Sequence, residues 1–137
     1  MKDNSNISFI VPAYNASNTL EEVVNSIFNG NFQDGDEIII VNDASPDDTS
    51  AIAEHLAKER APNISIITNT ENKGCAASRN IGVTVAKNDL IFNLDSDNIL
   101  APGNIYKLKE SLLNEQADVA AFGEYPSSYP LSRTLSC

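Results

Sequence analysis

ISFIVPAYNASNTLEEVVNSIFNG, residues 7–30, followed by EIIIVNDASPDD, residues 37–48, decides the fold. Ile7–Val11 is a short apolar, largely β-branched run closed by Pro12, the pattern of a buried strand. Asn18-Thr19-Leu20-Glu21 then reads as a helix cap with an acid three residues on. Leu20, Val23, Val24 and Ile27 repeat at helical spacing until Gly30 ends the run. Glu37–Val41 is a second strand, apolar without alternation, as expected where helices cover both faces of a sheet. A strand, a helix and a second buried strand in this order predict a parallel unit.

The rest of the chain repeats the theme. Ser45 can cap the next helix, with Pro46 at its first position and Asp47 and Asp48 at its positive end. That helix runs through Ile52, His55, Leu56 and Glu59 to about Arg60, where Pro62 stops it. Ile64–Thr68 is a third strand, Gly74–Ala86 a third helix and Leu90–Leu94 a fourth strand. Pro102 opens a fourth helix through Ile105, Leu108, Leu112 and Leu113. Ala117–Phe122 reads as a fifth strand, and residues 123–137 as an irregular tail. Neither a repeat nor an internal linker interrupts the order, so 1–137 is read as one domain. The predicted class is α/β, with a doubly wound, mostly parallel sheet flanked by helices.

Composition narrows the function. The 137 residues are 42% hydrophobic and 20% charged, which suits one packed core. Nine Lys and Arg against 19 Asp and Glu give a net charge of −10, which repels a nucleic-acid backbone. A small phosphorylated ligand is compatible with this charge if a divalent cation reverses the field locally. Two cysteines, Cys75 and Cys137, are too few for a disulfide framework, and no signal-peptide core or membrane-length apolar stretch occurs. The expected location is the cytoplasm.

Open α/β sheets bind ligands beyond the carboxyl ends of their strands. The residues delivered there are Pro12-Ala13-Tyr14-Asn15, Asn42-Asp43-Ala44-Ser45, Asn69–Gly74 and Asp95-Ser96-Asp97-Asn98. In an extended segment Asp95 and Asp97 would face one side with Ser96 turned away, offering hard oxygen ligands to Mg²⁺ or Mn²⁺. Asp43 can accept a hydrogen bond from a uracil imide or a ribose hydroxyl, and its loss is expected to weaken binding while sparing the fold. Arg79, in the third helix, can brace the base pocket or pair with Asp43. Asn69–Gly74 matches neither a P-loop nor a dinucleotide fingerprint. His55 reads as a partly buried packing residue, and Cys75 as a small core residue.

Four stretches carry a resemblance: IVPAYNASNTLEEVVNSI, EIIIVNDASPDDTSAIAE, NKGCAASRNIG and LIFNLDSDNIL. In order and spacing they resemble glycosyltransferase family 2, inverting enzymes of GT-A fold, over about Ile7 to Pro102. The resemblance implies the donor-binding half of such an enzyme, with a UDP-sugar as the usual donor and Mn²⁺ or Mg²⁺ as cofactor. It implies that Pro12, Tyr14 and Asn15 line the nucleotide site and that Asp43 reads the base with support from Arg79. Asp95 would contact the ribose or the metal side, and Asp97 would ligate the metal. Where the family commonly has Asp-Asp-Gly-Ser, this chain has Asn42-Asp43-Ala44-Ser45. The family's acceptor-binding half, with its catalytic base, has no counterpart here, and Glu124 is the first suspect if these residues hold a base. The chain alone is therefore expected to bind a donor without transferring sugar, and its uncovered apolar surface to favour self-association. The alternatives are a non-catalytic nucleotide-sugar-binding module and a receiver-like Mg²⁺-binding signalling domain. The receiver reading lacks the Lys it needs after a late strand.

Overall fold

The structure is a computed structural model and describes residues 6–117. Along the chain, strands and helices alternate as β1 (Ile7–Ala13), α1 (Leu20–Phe28), β2 (Glu37–Asn42), α2 (Thr49–Glu59), β3 (Ile64–Thr68), α3 (Cys75–Val85), β4 (Leu90–Asn93) and α4 (Asn104–Asn114). All three strand pairings are parallel, in the order β3-β2-β1-β4. The doubly wound α/β reading therefore holds. The fifth strand lies outside the described residues except for Ala117, as do the tail and Glu124.

Alternation along each buried strand builds two cores. Phe9 and Val11 of β1 and Ile38 and Ile40 of β2 face α1 and α2 together with Leu20, Val24, Ile27 and Leu56. Ile10, Ile39 and Val41 point to the other face and meet Ile81 of α3. Both faces are dry, so these strands carry no polar alternation.

Several boundaries differ from expectation. Pro12 does not close β1, because Pro12 and Ala13 pair with Val41 and Asn42. Ile10 turns its carbonyl to Leu94, and Pro12 faces the same side two residues on. The β4 ladder ends at Ile10 and Asn93, so the N–H that proline lacks has no ladder partner to lose. The Asn18 capping box does not form either. Thr19 occupies the cap without a side-chain capping bond, its hydroxyl donating back to the Ala16 carbonyl, which Leu20 N–H also bonds.

Helix α2 starts three residues later than Pro46 would allow. Asp47, not Ser45, accepts the Thr49 N–H at 3.1 Å. The Ser45 hydroxyl is engaged elsewhere, accepting from Asn15 N–H at 3.2 Å. His55 is on the open face of α2 with 73% of its side chain exposed, 3.5 Å from Glu59, and has no packing role.

Gly82 fixes how closely α3 lies on the sheet. A Cβ at that position would stand 2.5 Å from Cγ2 of Ile10, at the centre of the buried β1. Gly82→Ala is expected to destabilise the protein by about 1–3 kcal/mol through overpacking. That figure is net of the ~1 kcal/mol that alanine gains in helix propensity, because a Cβ 2.5 Å from Ile10 forces β1 or α3 to shift. Urea unfolding reads the change, and an unchanged midpoint would mean that α3 can lift from β1 at no cost.

Candidate functional site

The order β3-β2-β1-β4 reverses direction at β1, and a crevice opens there beyond the carboxyl ends of the strands. A cleft of about 170 Å³ occupies it, lined by Pro12, Ala13 and Tyr14 from β1, Asp43 from β2 and Ser96 from beyond β4. Asn72, Gly74, Cys75 and Ser78, at and before the start of α3, close its side. Tyr14 is 49% exposed at this cleft, a large aromatic left open to solvent. Cys75 is half-buried here and not in the core, which corrects its expected packing role.

Asp43 is 3% exposed and its carboxylate is the local organiser. Oδ1 accepts from the Asn69 side-chain amide and from Lys73 N–H, each at 2.8 Å, and Oδ2 accepts from Gly74 N–H at 2.9 Å. Burial pushes its pKa up, but the bonds from Lys73, Asn69, Gly74 and Ser78 together outweigh burial and hold it below the ordinary carboxylate value. Gly74 permits this clasp because its φ of +89° with ψ of 164° is glycine backbone, with nothing within 4 Å of where a Cβ would stand. Asp43 thus ties the end of β2 to the start of α3, thirty residues on in sequence. With the Ser78 hydroxyl counted, four donors meet the roughly four acceptor sites of the carboxylate, so a ligand's N–H or O–H binds there by displacing one of them.

Arg79 pairs with Asp95, not Asp43: its Nη2 lies 2.7 Å from Asp95 Oδ1. The side chains are 33% and 26% exposed, so solvent partly screens the pair. Arg79 Nε is buried without a hydrogen-bond partner among the described residues. Residues 95–98 are not extended, as Asn98 N–H bonds the Asp95 carbonyl at 3.1 Å in a turn. The argument that two carboxylates face one side therefore does not apply. Ser96, expected to turn away, lines the cleft, while Asp97 is exposed beside it in sequence.

No group of three or more His, Cys, Asp or Glu side chains suited to a metal occurs among the described residues. Asp97 is exposed and Arg79 bonds only one oxygen of Asp95; carboxylate oxygens are the donor type that Mg²⁺ takes beside phosphate and water.

The family's glycine is Ala44 here, with φ of +58°, and Asn15 has φ of +52°. The left-handed conformation explains why glycine is common at that position. Asn42, in place of the family's first acid, accepts Ser45 N–H at 3.2 Å through its side chain. Asn69, Asn72, Ser78 and Ser96 complete the site and were not singled out by motif. Asn69, Asn72 and Ser96 lie in the segments that strand-end reasoning delivers, whereas Ser78, inside α3, does not.

A larger cavity of about 400 Å³ lies between β4 and α4, lined by Ile7, Phe92, Ile105, Leu112 and others. It runs along the β4 edge of the sheet from Asp89 to Asn93, on the side facing α4, and reads as a packing gap.

Comparison with known proteins bears on the family and the fold. The description Glycosyl transferase family 2 matches residues 8–132. A Bacillus subtilis (strain 168) protein, "Uncharacterized glycosyltransferase EpsJ", is 34% identical over 122 residues, 89% of this chain and 35% of the relative. Among solved structures, S. aureus TarS 1-349 in complex with UDP superposes with a TM-score of 0.75 at 23% identity, covering 96% of this chain and 40% of that one. TarS 1-349 in complex with UDP-GlcNAc gives a TM-score of 0.69 at 26% identity over 80% of this chain and 31% of that one. The chain thus spans well under half the length of these relatives. Among the described residues no helix is long and apolar enough to cross a membrane.

Proposed function

This chain belongs to glycosyl transferase family 2, and on that premise we propose that it forms the donor-binding part of an enzyme that transfers a sugar from a UDP-sugar to an acceptor hydroxyl. The observation that carries the reading is the cleft at the strand ends, where an exposed aromatic, a clasped carboxylate and the Asp95–Asp97 turn meet. A TarS chain similar to this one is described in complex with UDP-GlcNAc, which supports a uridine nucleotide.

Within the proposal, Pro12 and Tyr14 contact the base, with the Tyr14 ring free to stack on it. Asp43 accepts the imide N–H in exchange for the bond from Ser78, which lines the same cleft, and Asn15 is exposed in the adjoining loop. Arg79 acts through Asp95, holding one oxygen so that the other faces the ribose or the diphosphate. Asp97 and Asp95 are the residues that would hold Mg²⁺ or Mn²⁺, which supplies charge neutralisation for the departing diphosphate. The acceptor hydroxyl is deprotonated by a base sought outside residues 6–117, then attacks the anomeric carbon as the nucleoside diphosphate leaves. A receiver-like signalling domain is not compatible with the family assignment.

Calorimetry with UDP tests the reading. Binding is expected to be about tenfold or more tighter in Mn²⁺ than in EDTA, a difference of roughly 1.4 kcal/mol. Equal affinities would remove the metal from the site, and no UDP binding in either buffer would remove the nucleotide reading.

A further inference from the structure

Three successive backbone N–H groups after β1 are each held by a side chain of the β2–α2 loop. Asn15 N–H donates to Ser45 Oγ at 3.2 Å, Ala16 N–H to Thr49 Oγ1 at 2.9 Å, and Ser17 N–H to Asp47 Oδ2 at 3.2 Å. We propose that Ser45, Asp47 and Thr49 form a clamp of positioning residues that sets the β1–α1 turn, and with it Tyr14 and Asn15, for the nucleotide. This rests on the nucleotide reading of the cleft.

In an extended segment successive N–H groups point to alternate sides, so one loop could not hold three in a row. Asn15 departs from that geometry, with φ of +52°. A non-glycine residue stays left-handed only where its surroundings determine it, and asparagine tolerates the region best. Ala44, at φ of +58°, immediately precedes Ser45 in the facing turn. Two left-handed turns therefore lie against each other, and their joint is the Asn15–Ser45 bond.

The clamp has a directional chemistry. Thr49 Oγ1 donates its proton to Asp47 Oδ1, which leaves a lone pair for Ala16 N–H. The hydroxyl works as donor and acceptor together, a task serine can perform and valine cannot. Asp47 holds Thr49 through one oxygen and Ser17 through the other, so both oxygens must stay free of a proton. Its pKa is lowered to about 2, first by the Thr49 hydroxyl, which keeps it ionised at any working pH.

A capping role does not account for all three bonds. At the start of α2 the only local bond these side chains supply is the one from Thr49 N–H to Asp47. The bonds to residues 15–17 reach across about thirty positions to the segment that carries Tyr14. A turn fixed before the ligand arrives spares the ordering cost of binding.

The experiment compares Thr49→Val, Thr49→Ser and Ser45→Ala in the full chain, with UDP and Mn²⁺ in calorimetry and amide exchange without ligand. Thr49→Val is expected to weaken UDP about tenfold and Ser45→Ala about threefold, the usual range for one hydrogen bond. Thr49→Ser should stay within about twofold of wild type. Exchange should quicken at residues 15–17 in the first and third variants and not in the serine variant. Should Thr49→Val fail to fold, the half-buried Ser45, whose Asn15 bond lies at the surface, carries the test. UDP affinity unchanged in Thr49→Val and Ser45→Ala, with wild type binding normally, overturns the clamp alone and leaves Thr49 a purely structural residue. A wild-type chain that binds no UDP overturns the nucleotide reading and the clamp's purpose together, whatever exchange shows.

Discussion

Asp43→Ala is expected to cost about 2–4 kcal/mol of folding stability and to take UDP binding below detection. The size follows from what the carboxylate leaves behind. Lys73 N–H, Gly74 N–H and the Asn69 amide all lose their acceptor at once, in a place where Asp43 itself is 3% exposed. Bonds to an ionised acceptor are among the stronger ones, and alanine gives nothing in return. The expectation that this substitution spares the fold therefore does not survive the geometry, because one carboxylate both faces the cleft and joins β2 to α3. Asp43→Asn should fall about midway. Its oxygen can still serve Lys73 and Asn69, but its NH₂ would meet Gly74 N–H donor to donor. Urea unfolding measures both variants, and an alanine variant within 1 kcal/mol of wild type would show that the start of α3 does not depend on the clasp.

The same clasp predicts a pH dependence of known sign. The folded-state pKa of Asp43 lies below its ordinary value of 3.8. Ionised Asp43 therefore stabilises the fold fully above that value, and the contribution fades as pH falls through the lowered folded value. In Asp43→Asn this part of the acid sensitivity should vanish.

Topology was readable because the strands are buried on both faces. Runs such as Ile38–Val41 announce themselves by apolar character alone, and the helices between them by spacing. The position of the cleft followed from topology, since strand ends at a reversal of order are where such sheets open. What local pattern could not show was the partner of each polar side chain. Ser45 looks like a helix cap by its neighbours, yet it bonds Asn15, thirty residues earlier. Asp43 meets Lys73 and Gly74 at a similar distance in sequence, and Arg79 meets Asp95 sixteen residues on. These choices are made when loops from different strands are brought together, and no run of adjacent residues encodes them. The Asp95–Asn98 turn is a different case. The same residues are compatible with an extended segment, and the bond from Asn98 N–H decides between the two.

Asp97→Asn is expected to abolish the Mn²⁺ enhancement of UDP binding, about tenfold or more, while leaving stability within roughly 0.5 kcal/mol. Asp95→Asn should behave differently, although the two residues share one turn. Asp95 is bound to Arg79 at 2.7 Å, and an amide in its place would leave the guanidinium, whose Nε has no partner among the described residues, without its counter-charge. Because that pair is partly exposed, the stability loss should be modest, about 1 kcal/mol. Asp97 is exposed and can be neutralised without disturbing packing. Its effect should therefore show in the metal-dependent part of nucleotide affinity, the Asp95 effect in stability and in affinity with and without metal. Measuring UDP affinity in Mn²⁺ and in EDTA for both variants, beside their urea midpoints, separates the roles. Should Asp97→Asn keep the full Mn²⁺ enhancement, Asp97 is no ligand, and the free oxygen of Asp95 becomes the remaining candidate among the described residues of this turn.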